Sequence, residues 1–201
     1  MKKKLKRFGV GVIGCGLIGK KRAESLGDGG TLVACADIDL EKAKVLAKKS
    51  KAKYFNDWKE LLNVKEVDIV VVSTLHDSLT NITLESIKAN KNVLLEKPGA
   101  RSAIELKPAL KAITNQQVKV RVGFNHRFHP ALIKAKEIFD SGELGELMFI
   151  RGRYGHGGRL GYENEWRANP KISGGGELLD QGPHLIDLSR WFLGNFSKIQ
   201  G

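Results

Sequence analysis

The amino-acid sequence predicts an α/β fold: a doubly wound, mostly parallel sheet followed by a second, incomplete α/β unit. Three observations carry that reading. Short apolar runs alternate with helix-forming stretches from Phe8 to Phe124, the pattern of a parallel sheet covered by helices on both faces. The first run leads into Gly14-Cys15-Gly16-Leu17-Ile18-Gly19, and the second ends on an acid, Asp37. Beyond Pro130 the texture changes to one helix and then a loop rich in glycine and aromatic residues. We therefore expect a first domain over residues 1–126 and a partial second domain over 127–201.

Taken in order, Phe8 to Ile13 is a buried strand, and the glycine turn after it opens a helix over about Lys20 to Leu26. Thr31 to Ala36 is the second strand. Leu40 to Lys49 is helical and ends in basic residues, which suit the negative end of a helix dipole. A weak strand near Ala52 to Phe55, a short helix near Asp57 to Leu62 and the strand Val67 to Thr74 continue the alternation. Leu79 to Ala89 is helical, Asn92 to Leu95 extended, Ser102 to Thr114 helical with Pro108 as a kink or restart, and Val118 to Phe124 extended. The second unit opens with a helix from Pro130 to Asp140, a turn over Gly142 to Gly145 and a strand from Glu146 to Arg153. Tyr154 to Lys171 reads as loop, Gly174-Gly175-Gly176 starts a helix reaching about Leu193, and Phe196 to Gln200 begins another strand.

Composition narrows the function. With 201 residues, 41% hydrophobic and 28% charged, the chain has material for a core and the texture of a soluble protein. Lys plus Arg exceeds Asp plus Glu by 34 to 22, a formal charge of +12 that favours anionic partners. The basic residues are dispersed apart from a cluster over Met1 to Arg7, and no helix-turn-helix or zinc pattern appears, so nucleic acid is not expected as a partner. Cys15 and Cys35 are too few for a zinc site or a disulfide framework; they read as small fillers, with no metal and a reducing cytoplasm expected. Val67 to Leu75 is the greasiest run, too short to span a bilayer, so no membrane association is expected. Val12-Ile13-Gly14-Cys15 has the form of a lipoprotein cleavage box, but glycines at 9, 11, 14, 16 and 19 suit a turn better than a signal helix.

Three constellations could carry chemistry. In Gly14-x-Gly16-x-x-Gly19, the first glycine permits a tight turn, the second lets the backbone approach a pyrophosphate, and the third allows close helix–strand packing. The helix N-terminus after it, with Leu17 and Ile18, then faces the phosphates. Asp37, 18 residues beyond Gly19, can accept from both ribose hydroxyls, and Ile38 follows it instead of an arginine that would hold a 2′-phosphate. NAD is preferred over NADP. Asn92-Val93-Leu94-Leu95-Glu96-Lys97-Pro98 places Lys97 at a strand end, where Pro98 keeps its backbone extended, although a solvated lysine before a turn explains the tripeptide equally well. Asp180 and His184 share a face if their helix is continuous, and a carboxylate-oriented imidazole suits proton abstraction; Pro183 complicates that continuity, and a buried structural histidine is an equal reading.

Together these residues resemble the glucose-fructose oxidoreductase, inositol dehydrogenase and rhizopine catabolism (Gfo/Idh/MocA) family of NAD(P)-dependent oxidoreductases, over nearly the whole chain. The resemblance rests on Gly14, Gly16, Gly19, Asp37, Glu96-Lys97-Pro98 and Asp180-x-Gly182-x-His184. It implies a Rossmann domain, then an α/β domain whose large antiparallel sheet backs the substrate site and often forms a homo-oligomer interface. It implies Lys97 near nicotinamide and substrate, often with Pro98 in a cis peptide, and Asp180 with His184 as the acid/base pair; Thr74, at the end of the fourth strand, and Glu96 join the cofactor set. Two features depart from the family: Thr74-Leu75-His76 lacks the usual proline after the threonine, and the chain stops where most of the second sheet should follow.

The expected function is hydride transfer between nicotinamide and a hydroxyl-bearing carbon of a sugar, polyol or sugar nucleotide. Arg127, Tyr162, Trp166 and Arg167 lie in loops that could face that substrate. The alternative expectation is a truncated dinucleotide-binding protein without catalysis.

Overall fold

The computed structural model describes residues 7–155 and 160–201. Most of the basic cluster at the start, and residues 156–159 of the loop expected over Tyr154 to Lys171, lie outside them. The chain divides into two compact units, Met1–Gly123 and Phe124–Gly201.

In the first unit, β1 (Phe8–Ile13), β2 (Gly30–Ala36), β3 (Lys53–Phe55), β4 (Ile69–Val72), β5 (Asn92–Leu95) and β6 (Val120–Val122) form one parallel sheet. Its order is β3-β2-β1-β4-β5-β6, the doubly wound order, reversing direction between β1 and β4. The connecting helices are α1 (Leu17–Glu24), α2 (Leu40–Lys48), α3 (Trp58–Leu62), α4 (His76–Lys88) and α5 (Ala103–Thr114).

Period-two alternation sorts the strand side chains onto the two faces. Val10, Val12, Cys35 and Val71 pack with Ala43 and Ala47 of α2. Ile13, Ala36, Val70 and Val72 pack with Leu61 of α3, Leu79 and Ile82 of α4 and Ala109 of α5. Helix starts are written in short polar residues: Asp39, Asp57 and Ser102 each accept a hydrogen bond from a backbone N–H two or three residues on. Where no such residue stands, the starts differ from expectation. α1 begins at Leu17 behind Gly16, and α4 at His76 behind an extended Leu75, both three residues earlier than the sequence suggested. Pro108 neither restarts nor ends α5.

The second unit contains α6 (Pro130–Asp140), α7 (Pro170–Ser173), α8 (Gly176–Asp180) and α9 (Gly182–Leu193). Three single 3-10 turns, Asn125–Phe128, Tyr162–Asn164 and Trp166–Ala168, accompany them. Two expectations are corrected here. The helix expected from the glycine run to Leu193 is two helices, broken at Gln181, and Pro183 sits in the first turn of α9 where its missing N–H leaves no bond unmade. Glu146 to Arg153 and Phe196 to Gln200 are not strands: alternation marks which side chains would share a face, but a ladder needs a neighbouring strand, and none pairs with them among the described residues. Among the described residues no helix is long and apolar enough to cross a membrane, and no group of His, Cys, Asp or Glu could hold a metal ion.

Candidate active site

The glycine turn joins β1 to α1 at the point where the strand order reverses, the place where open α/β sheets bind ligands. Its three glycines do different work. Gly14 has φ of +88°, and a Cβ there would lie 2.6 Å from Ser73 O. A Cβ on Gly19 would lie 1.9 Å from Gly14 O, so helix and turn touch through backbone. A Cβ on Gly16 would meet nothing within 4 Å. The turn is therefore closed against the protein at two glycines and open to an incoming group at the third.

The turn is tied down from three sides. Gly14 N–H donates to Ala36 O at 2.8 Å, Ser73 Oγ donates to Gly14 O at 2.7 Å, and Cys15 N–H donates to Asp37 Oδ2 at 2.7 Å. The other Asp37 oxygen accepts from Asp39 N–H at 2.9 Å, which orients the carboxylate at the end of β2. Ile38 beside it is 95% exposed and brings no cation to this position. Leu17 and Ile18 are exposed at the start of α1. Cys15 is buried; its hydrogen bond with Cys35 and its burial push the thiol far above its ordinary range, so it is a filler rather than a nucleophile. The first unit thus offers an open backbone turn, a helix N-terminus and a fixed acid, which fit a dinucleotide's pyrophosphate and ribose.

Two more of the expected residues stand at neighbouring strand ends. Thr74 Oγ1 follows β4 and accepts from Ser78 Oγ at 2.9 Å. Lys97 is half-buried two residues past β5, and its bond to Pro98 is cis. Glu96 accepts from Arg22 Nε at 2.6 Å, a pair that sequence reasoning missed because Arg22 lies 74 residues earlier on α1. Gly123 makes room for it: a Cβ there would come within 2.8 Å of the Arg22 guanidinium.

In the second unit Asp180 ends α8, 1% exposed, and His184 lies in the first turn of α9, 5% exposed. They stand on separate helices, so the four-residue spacing no longer describes how they relate. Arg167 Nε donates to Asp180 Oδ2 at 2.9 Å, Gln181 donates to the same oxygen at 3.2 Å, and Arg167 also reaches Glu165 at 3.2 Å. Burial pulls Arg167 down, but the Asp180 hydrogen bond and charge outweigh it and hold the guanidinium above its ordinary value. Its face lies 4.5 Å from the Trp166 ring. Tyr162 donates to Glu177, and that hydrogen bond pushes the phenol up to about 12. Arg127 is engaged by Asp187, with Nε and Nη2 donating at 2.7 and 2.6 Å, which raises its pKa further. The imidazole of His184 stacks on that of His126, a residue no motif marks.

The fold and the turn define a dinucleotide-binding α/β protein with a second, histidine-bearing unit. The chain belongs to the Gfo/Idh/MocA oxidoreductases: residues 8–124 match the model of the oxidoreductase family with an NAD-binding Rossmann fold, and residues 132–201 match the GFO/IDH/MocA C-terminal domain. It is 33% identical over 195 residues to inositol 2-dehydrogenase of Rubrobacter xylanophilus, covering 93% of this chain and 52% of that one. Levoglucosan dehydrogenase of Pseudarthrobacter phenanthrenivorans is 29% identical over 146 residues, 72% of this chain and 37% of the relative. The structure of levoglucosan dehydrogenase with NADH and levoglucosan superposes with a TM-score of 0.86 at 26% identity, over 96% of this chain and 55% of that one. The chain thus spans about half the length or less of these relatives.

Proposed function

We propose that this protein is an NAD-dependent dehydrogenase that oxidises one secondary hydroxyl of a cyclic polyol or sugar. The observation that carries this is the phosphate turn: closed by backbone at Gly14 and Gly19, open at Gly16, and fastened to the Asp37 carboxylate. Asp37 receives the ribose hydroxyls, and the absence of a cation at Ile38 favours NAD over NADP. Bound NAD supplies the hydride acceptor at nicotinamide C4. His184 takes the hydroxyl proton as the carbonyl forms, with Asp180 as its partner in the acid/base pair, and Lys97 polarises the oxygen. Arg167, Trp166 and Tyr162 form a connected group through Asp180 and Glu177 and are the residues we assign to the substrate side. Arg127 is committed to Asp187, so we assign it to holding α9. The relatives are named for inositol and levoglucosan, which favours a small ring polyol or anhydrosugar over a nucleotide-linked sugar.

The test is absorbance of NADH from the full 201-residue chain with NAD and a panel that includes myo-inositol and levoglucosan. Turnover that falls at least ~100-fold in His184→Ala supports the assignment, a loss typical of removing a general base. Full turnover in that variant would remove His184 as the base. Failure of NAD to raise the unfolding temperature would sink the cofactor reading itself.

A further inference from the structure

Gly19 is the buried residue of α1, seated against the glycine turn and Ser73. Arg22 stands three residues further along the same helix face and reaches Glu96, the residue after β5. Its Nε donates to Glu96 Oε1 at 2.6 Å, and its Nη2 lies 2.5 Å from the same oxygen, the two side chains being 26% and 12% exposed. Gly123, just past β6, runs close over this pair: a Cβ there would lie 2.8 Å from Arg22 Nη2 and 3.1 Å from Glu96 Oε1.

The backbone at Glu96 carries the pair's hold into the next residue. Glu96 N–H donates to Val72 O at 2.9 Å, and Gly99 N–H donates to Glu96 O at 3.1 Å. The second bond closes a four-residue turn in which Lys97 is the second residue. Thr80 Oγ1 of α4 donates to Gly99 O at 3.3 Å. The turn is therefore fastened at its start to α1, through Arg22, and at its end to α4. Whatever contacts the Lys97 side chain makes, the place from which it springs is set by this frame. The same helix α1 begins at Gly16, so roughly 9 Å of helix separates the open side of the phosphate turn from the arginine. A reacting group misplaced by about 1 Å can lose roughly a hundredfold in rate, so a group that fixes backbone matters without touching substrate.

We propose that Arg22 and Glu96 are a positioning pair for Lys97: they lock the Lys97 turn to the helix assigned to the cofactor phosphates and so hold the lysine in register with bound cofactor. The inference rests on the reading of Lys97 as the residue that polarises the substrate oxygen. Gly123 belongs to the same device, because any side chain there would push the pair apart.

The experiment compares wild type with Arg22→Gln and Gly123→Ala in the full chain. In Gly123→Ala the new methyl meets only side-chain ends, so the pair shifts while the fold and every charge are kept. The first readout is amide hydrogen exchange. In both variants exchange of Gly99 N–H should quicken about tenfold more than that of Gly14 N–H, which is bonded to Ala36 O in the same sheet. Equal quickening at the two amides is general loosening and overturns the inference. The second readout is turnover with NAD and myo-inositol or levoglucosan, whichever reacts faster. In both variants kcat should fall about tenfold while Kd for NAD stays within about threefold of wild type. Combined with Lys97→Ala, neither substitution should lower kcat further, because the pair acts only through that lysine. Additive losses overturn the positioning role. Full turnover in Lys97→Ala overturns instead the reading of Lys97. Should Arg22→Gln not fold, Gly123→Ala carries both readouts, and the exchange ratio decides the positioning role whether or not either substrate turns over.

Discussion

At the scale of single residues, the three glycines of the turn separate by consequence. Gly19→Ala drives a methyl to 1.9 Å from the Gly14 backbone oxygen, which cannot swing aside, and should destabilise the first unit by about 2–3 kcal/mol in urea unfolding. Gly16→Ala meets open space, so its unfolding should stay within about 1 kcal/mol of wild type while the thermal shift produced by NAD is lost. An unchanged NAD shift in Gly16→Ala would mean that the open side of the turn is not where the cofactor sits. Arg22→Ala removes the 2.6 Å hydrogen bond to Glu96, whose side chain is 12% exposed, and should lower stability by about 2 kcal/mol; Arg22→Lys should recover only part, because an ammonium lacks the Nε donor. Tyr162 carries a pH signature. Its phenol is raised above its unfolded value near 10 to about 12, so the stabilisation it adds is complete below pH 10 and disappears as pH climbs through 12. Wild type and Tyr162→Phe, compared by urea unfolding between pH 8 and about 12, should therefore converge at the alkaline end. A constant difference across that range would disprove the assignment.

Elements differ in how much of themselves they announce. β1, β5 and α6 occupy the spans that hydrophobic run, glycine punctuation and Pro130 indicate, because each boundary is set by residues next to it. α1 and α4 begin earlier than their polar or periodic residues suggest: their first turns are closed by backbone rather than by a side-chain cap. The break at Gln181 was half legible, since Pro183 warned of a discontinuity without saying which residue would absorb it. Glu146 to Arg153 shows the opposite case, a good strand pattern with no partner to pair with among the described residues. Pairing over distance is also why the His126–His184 stack and the Arg22–Glu96 pair were invisible, whereas Gly14, Gly16, Gly19 and Asp37 stood out through local spacing alone. The link between α9 and the turn before α6 yields a prediction at this scale. Arg127→Ala leaves the 8% exposed Asp187 without its two-pronged partner and should destabilise the second unit by about 2 kcal/mol, and Arg127→Lys should not restore the loss. Equal stability of wild type and both variants would show the pair to be superficial.

For the whole molecule, the assignment of NAD to the first unit predicts where protection appears. At about 100 times its dissociation constant the cofactor adds roughly 2.7 kcal/mol, so the most protected amides of β1 and β4 should exchange about a hundredfold more slowly in hydrogen-exchange measurements. No slowing in those strands would contradict the assignment. The strand order has a further consequence, in time rather than in space. β1 and its turn are synthesised before the strand that completes them, for Ser73, which closes on Gly14 O, comes 59 residues later. At about 5–20 residues per second of synthesis, the nascent glycine turn waits roughly 3–12 seconds for the strand that completes it. Until then the ribosome carries half a nucleotide site, with β1 open along the side that β4 will cover.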